Sequence, residues 1–256
     1  MKRSCSSTIP WRALDLIRRV LLLIVLTAGF SACLLSQQSF PERVDRAFGN
    51  DQVLVNGIQF SNQYIRIEGN PYWLDDRFRN GSVCIKGIWY ESLRLRYNIY
   101  SGRLELQYLT PEGHLNQIMI VSEHLSGFIL DGNEFRRMEL GSDSPAFYQV
   151  ISSQAWICYV EWAIEIYGDR TSQQVFEPPE RTYWMGRGDP DSDPDTWISF
   201  HDWRSFLKAV PPSRKKEFKS LLKERKFLFE QGTNREMTAL VADILRLLES
   251  GGEHDP

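Results

Sequence analysis

The densest run of chemically capable residues lies between Asp189 and Asp195, where Asp189, Asp191, Asp193 and Asp195 alternate with Pro190, Ser192 and Pro194. Calcium loops begin this way, because a hard cation collects oxygens from alternate positions of a tight loop. Counted from Asp189, however, Pro194 stands where such a loop needs glycine and Phe200 where it needs a bidentate glutamate, so this is no EF-hand. The segment reads as a solvated acidic loop, with a weak extracellular-type calcium site as the alternative, and no other metal or cofactor is expected. His201 and Asp202 follow directly, but adjacent helical residues do not face one another and Asp202 suits a helix cap better than a catalytic dyad. His114 and His124 flank an apolar run without a spaced partner. Glu161 and Glu165 would stand about 13 Å apart on one strand, beyond the roughly 6.5 to 9.5 Å that separates inverting glycosidase carboxylates. The chain has no Gly-x-Ser-x-Gly, no His-x-x-x-His and no glycine-rich phosphate loop. No catalytic residue is assigned, and hydrolysis ranks third among the functions considered.

Binding chemistry is better represented. Tyr72, Trp73, Trp89, Tyr90, Tyr183, Trp184 and Trp197 are either core residues or, if gathered on one rim, a surface for a glycan or a partner chain. Lys215, Lys216, Lys219, Lys223 and Lys226 make a basic helix face within an acidic protein, either merely solvated or docking an acidic partner or lipid headgroups. Cys84 and Cys158 are a candidate disulfide in an oxidising compartment, and equally ordinary as two buried thiols. No Cys-x-x-Cys occurs, which removes support for thioredoxin-like chemistry and a cysteine zinc knuckle.

The front of the chain sets an address. Lys2, Arg3, Arg12, Arg18 and Arg19 precede an uncharged run from Val20 to Cys33, too short for a permanent span of about 20 apolar residues and suited to an export signal. Phe30-Ser31-Ala32-Cys33 resembles the bacterial lipobox, in which the cysteine becomes the lipidated first residue; Ser31, Ala32 and Cys33 match and Phe30 departs from the usual aliphatic residue. Lipidation is therefore expected at Cys33, with a soluble secreted protein as the alternative. From residue 34 onward 25 Lys and Arg face 32 Asp and Glu, a formal charge of −7 that offers no general attraction to nucleic acid.

The elements that must position these residues follow from periodicity. Residues 34–50 read as a tether. Residues 51–188 carry short apolar, β-branched and aromatic runs broken by turn residues. Val83, Ile85 and Trp89 alternate around Gly87; Leu93, Leu95, Tyr97 and Ile99 share a face opposite Arg94, Arg96 and Asn98. Ser101-Gly102 then turns the chain into Leu104, Leu106 and Tyr108. Asp131-Gly132-Asn133 separates Phe128-Ile129-Leu130 from Phe135 as a hairpin turn does. Trp156 to Ile166 keeps one parity for an unusually long strand. The expected fold is α+β and mainly β: an antiparallel meander, curled or barrel-like, followed by three short C-terminal helices. Beyond the acidic loop at 189–198, residues 199–250 change to helical period. Ser199 with Asp202, Ser213, and Thr233 with Glu236 are the expected starts, Pro211-Pro212 and Gly232 the stops, and residues 251–256 a tail.

The stretch Gly81 to Tyr100, with Gly-Ser-Val83, Gly87, Tyr90 and the strand Leu93-Arg94-Leu95-Arg96-Tyr97-Asn98-Ile99-Tyr100, resembles an uncharacterised family of exported proteins and lipoproteins of Bacteroidota. The likeness extends to Phe128–Arg137 and to the lysine-rich helix from Arg214 to Phe229. It implies a β-rich module followed by short helices at the cell envelope, and carries no catalytic residue. Together these readings lead to the expectation of a membrane-anchored exported envelope protein, held to the bilayer at its N-terminus and serving as a non-catalytic interaction or accessory module for another envelope protein. The alternative is a binding protein for a glycan, lipid or other small ligand in an aromatic-lined pocket.

Overall fold

The computed structural model describes residues 52–55, 57–61, 64–140, 144–168, 173–188 and 197–250. The leader, Cys33, the tether at 34–50 and the acidic residues Asp189, Asp191, Asp193 and Asp195 lie outside them. Gln52–Pro256 forms one compact unit.

A short helix α1 (Gln52–Val55) and strand β1 (Ile58–Gln59) lead to a first meander: β2 (Arg79–Ile85), β3 (Ile88–Asn98), β4 (Arg103–Leu109) and β5 (Leu115–Met119). A second meander repeats the plan with β6 (Leu125–Leu130), β7 (Asn133–Met138), β8 (Ala146–Ser152) and β9 (Trp156–Ala163). Strands β10 (Ile166–Tyr167) and β11 (Val175–Phe176) form a separate pair, and β12 (Glu180–Arg187) and β13 (Ile198–Phe200) complete the main sheet. The eleven strands run in the order β1-β5-β4-β3-β2-β6-β7-β8-β9-β12-β13, every pair antiparallel. The antiparallel, mainly β architecture is as expected, but the sheet ends at β1 and β13 and does not close into a barrel.

Tight turns set the registers. Lys86-Gly87 and Asp131-Gly132 each place two successive residues at positive φ, the mirror-image turn whose twist matches paired strands. The first overturns a detail of the sequence reading. Gly87 lies in a turn rather than in a strand, so Trp89 pairs with Cys84 and leaves the face of Val83 and Ile85. Trp156 to Ile166 is likewise not one strand, because β9 stops at Ala163 and Ile166 starts the separate pair with Val175–Phe176.

One face of the sheet, the inner face, carries the core. Trp73 meets Phe135 and Trp162 edge-on, Phe128 stacks on Phe135 at 4.6 Å, and Tyr97 packs against both phenyl rings. Each such side chain contributes about 1.5–3 kcal/mol on burial.

Three helices, α2 (Trp203–Ala209), α3 (Lys215–Leu222) and α4 (Asn234–Ser250), follow the strands, as expected. Asp202 is a helix cap as expected, but Ser199 and Ser213 are not. Ser199 belongs to β13, and α2 begins at Asp202, whose side chain accepts from the Ser205 amide in a capping box. Ser213 sits inside a 3-10 turn, and α3 starts after Arg214 without a side-chain cap. Thr233 and Glu236 do form the reciprocal bonds expected at α4. The apolar stripe of α4, Met237, Leu240, Val241, Ile244, Leu245 and Leu248, is wholly buried and lies against β8 and β9.

Polar side chains fasten helix to sheet. Trp162 Nε1 donates to Gln149 Oε1 at 3.0 Å, and Gln149 Nε2 donates to Asn133 and to Thr238 of α4. Arg181 lies over the Trp162 ring and donates to the carbonyls of Leu228, Phe229 and Gly232, where α3 has ended and α4 has not begun. These bonds satisfy groups that would otherwise be costly to bury.

Candidate functional site

The sequence-picked aromatic residues do not share a rim. Trp73 and Tyr183 are core side chains, Tyr183 stacked on Phe200. Tyr90 is half-buried against the same core. Trp184 and Trp197 lie on the outer face with Tyr148 and Tyr159, where the Trp197 ring covers Gly186 so closely that a Cβ there would meet it at 2.4 Å. Tyr72 packs on an arginine, and Trp89 is exposed. Cys84 and Cys158 are separate buried thiols on β2 and β9, with β6, β7 and β8 between those strands; the disulfide considered from the sequence is not formed. Burial pushes the Cys158 thiol far up, which suits an inert core cysteine.

His201 is exposed, and Asp202 is occupied as a cap, with its carboxyl held below the ordinary range first by the Ser205 hydroxyl and then by the Ser205 amide. Glu161 is on β9, whereas Glu165 falls beyond its end. Among the described residues no group of three or more His, Cys, Asp or Glu is placed to hold a metal, and no helix is long and apolar enough to cross a membrane.

The structure assembles a polar cluster that the sequence reading did not name. Arg96 of β3 and Glu105 of β4 are cross-strand partners on the outer face. Arg96 Nη2 and Nε donate to Glu105 Oε2 at 2.6 and 3.0 Å, Gln117 of β5 donates to the same oxygen, and Arg96 Nη1 donates to the Asp76 carbonyl. The guanidinium is enclosed by Tyr72 at 4.0 Å, Phe78 at 4.5 Å and Phe60 at 5.6 Å from the ring centroids, a cation–π cage that strengthens as water is excluded. Glu105 is 2% exposed. Burial raises its pKa, opposed by Arg96, Gln117 and the Tyr72 hydroxyl. Tyr72 is pushed up to about 12 by burial and then by the Glu105 charge. A cavity of about 120 Å3 opens beside the cluster, bounded by Phe60, Tyr64, Tyr72, Arg103 and Glu105. The pair was only half deducible: a two-residue turn at Ser101-Gly102 would set Arg96 opposite Gln107, whereas the four-residue loop 99–102 that forms pairs Asn98 with Arg103 and brings Glu105 opposite Arg96.

A second feature is apolar and exposed. Ile88 and Trp89, just after the β2–β3 turn, are 59% and 49% exposed, and Leu109 and Leu115, flanking the β4–β5 turn, are 62% and 65% exposed. Leu109 and Leu115 are directly paired. The β3–β4 ladder runs as far as Arg94 opposite Gln107, two residues short of Leu109 and on the side of the β2–β3 turn. All four therefore occupy one end of the first meander. The chain enters the sheet at the other end, where Ile58 pairs with Met119.

Comparisons with known proteins find no matching family model, no matching curated protein and no matching solved structure.

Proposed function

We propose that the protein is a membrane-anchored exported protein of the bacterial envelope whose sheet is a non-catalytic interaction module. The observation that carries this reading is the collection of Ile88, Trp89, Leu109 and Leu115 at the end of the sheet away from the chain's entry. Isolated apolar side chains are normal on a surface, but several sharing one end of adjacent hairpins mark a contact site. Tryptophan is also among the residue types on which protein interfaces concentrate their binding energy. The basic leader, the apolar run and the Ser31-Ala32-Cys33 sequence support export and lipidation. Resemblance to the exported Bacteroidota family supports the same address.

The test is site-specific photocrosslinking in the native host with a reactive residue at position 89. A discrete adduct with one envelope protein is expected, lost in the variant Leu109→Ser/Leu115→Ser. Equal adducts from position 89 and from a control position on α4 would remove the reading. Exposed leucines contribute little to folding, so the double variant should retain stability within about 0.5 kcal/mol.

A second reading, a site for a small polar ligand, is favoured by the cavity beside Glu105. It differs by predicting that Tyr72→Ala, and not the leucine substitutions, abolishes function.

A further inference from the structure

Between Trp203 and Glu230 the chain carries nine basic residues against three acidic ones, while its overall formal charge is −3. The described structure shows what these cations do. Arg214 is committed to Glu217 and to the carbonyls at the end of α4, and Arg225 to Asp243. Lys216, Lys219 and Lys223 are exposed and enter no ion pair among the described residues. Their spacing of three and four residues places them on one side of α3 and its continuation. Lys226 is held 4.9 Å over the Trp203 ring, and the next residue, Phe227, is 54% exposed. Beside Lys216 an open depression has an apolar floor of Leu221 and Leu247.

Unpaired lysines along α3, half-buried Leu221 and Leu247 in the depression beside Lys216, and the exposed Phe227 that follows Lys226 form a composition that suits an interface between water and hydrocarbon. Aromatic and aliphatic groups enter the headgroup boundary while lysine stems extend to the phosphates. Protein interfaces show the reverse tendency, being depleted of lysine. We infer that the face formed by Lys216, Lys219, Lys223, Lys226 and Phe227 is a docking surface for anionic phospholipid. It acts independently of any anchor at Cys33 and of the hairpin end that carries the proposed partner contact. Each lysine near an anionic surface adds about 1 kcal/mol, so the face makes a weak, salt-sensitive second hold.

The experiment uses the chain from Leu34 onward, which keeps the whole compact unit at 52–256 and lacks the leader and Cys33. Flotation with vesicles of phosphatidylcholine alone and of phosphatidylcholine mixed with phosphatidylglycerol is combined with amine-reactive labelling read by mass spectrometry. Binding to the anionic vesicles only, reversed by salt, is expected, with labelling lost at Lys216, Lys219 and Lys223 and unchanged at exposed Lys86. The surface variant Lys216→Glu/Lys219→Glu/Lys223→Glu should bind at least about 100-fold more weakly. Circular dichroism must show it folded, and Phe227→Ser provides an independent loss through the apolar part. Equal binding to both vesicles, or unchanged lysine labelling on the anionic ones, overturns the inference. Protection by a soluble polyglutamate chain without vesicle binding would assign the face to an acidic protein and overturn it equally. The anchor is absent in every arm, so failure here leaves the envelope reading of the whole chain untouched.

Discussion

Arg96 and Glu105 show how much a single desolvated pair demands of its surroundings. A buried carboxylate is tolerated because a guanidinium meets it through two nitrogens and three aromatic rings keep the water out. Replacing such a pair by apolar residues is often harmless, whereas removing one partner costs about 3–5 kcal/mol. Arg96→Met should therefore destabilise the protein by that amount at neutral pH in urea unfolding, and Glu105→Gln in the same chain should recover most of it. The pH dependence has a defined sign. Glu105 has a folded-state pKa raised above its ordinary value, so its contribution to stability is largest in acid and falls as pH rises through the carboxylate range. Removing Arg96 raises that pKa further, and the loss caused by Arg96→Met should shrink as the solution is acidified. A loss constant with pH would show that the pair is not what the substitution disturbs. This cluster was partly legible in the sequence: the alternation through Leu93–Ile99 put Arg96 on the outer face, but a two-residue turn at Ser101-Gly102 would have paired it with Gln107, and only the longer loop 99–102 makes Glu105 its partner. The enclosing rings were not, because Phe60, Tyr72 and Phe78 arrive from segments with no periodicity to fix their direction.

At the scale of elements, local chemistry was readable where it acts alone and misleading where two signals compete. Thr233 and Glu236 have no rival and cap α4. Ser199 and Asp202 both had the spacing for a cap, and the sheet decided between them by drawing Ile198–Phe200 into pairing with β12. Asp202→Ala should cost about 1 kcal/mol at neutral pH. Its carboxyl is held below the ordinary range, so this contribution is present above that range and fades as pH falls through the lowered value; thermal unfolding of both proteins across acid pH measures it. A pH-independent difference would mean that packing, not the charged cap, is lost. Val83, Ile85 and Trp89 teach a related lesson. Period two continues across Gly87 on paper, but Lys86 and Gly87 both adopt positive φ, and a two-residue turn reverses the chain and changes the face that follows. Trp89 is thereby delivered to the surface, where the sequence could count it but not place it.

For the whole molecule, the mainly β architecture with three terminal helices was legible because hairpins join neighbours and their turns are explicit. The sheet's openness was not, since closure depends on whether the first and last strands can meet. Here the edge strands are only two and three residues long, which limits the unpaired backbone offered to other chains. The address of the protein rests on residues outside those described, and it has a direct check. Intact mass of the protein from its native host should show cleavage before Cys33 and the added mass of a diacyl or triacyl group. An unmodified chain beginning at Met1 and free in the cytosol would contradict both the anchor and the envelope role.

The order of the chain has one more effect, on birth rather than on the finished state. The stripe of α4 that seals β8 and β9 comes from Asn234–Ser250, which the ribosome makes after the thirteen strands of the described residues. While a nascent chain is being completed, the second meander can pair its backbone but lacks the helical stripe that covers β8 and β9. A premature stop anywhere before α4 thus leaves a paired but uncapped sheet, material for holding chaperones and proteases rather than for a shorter working protein.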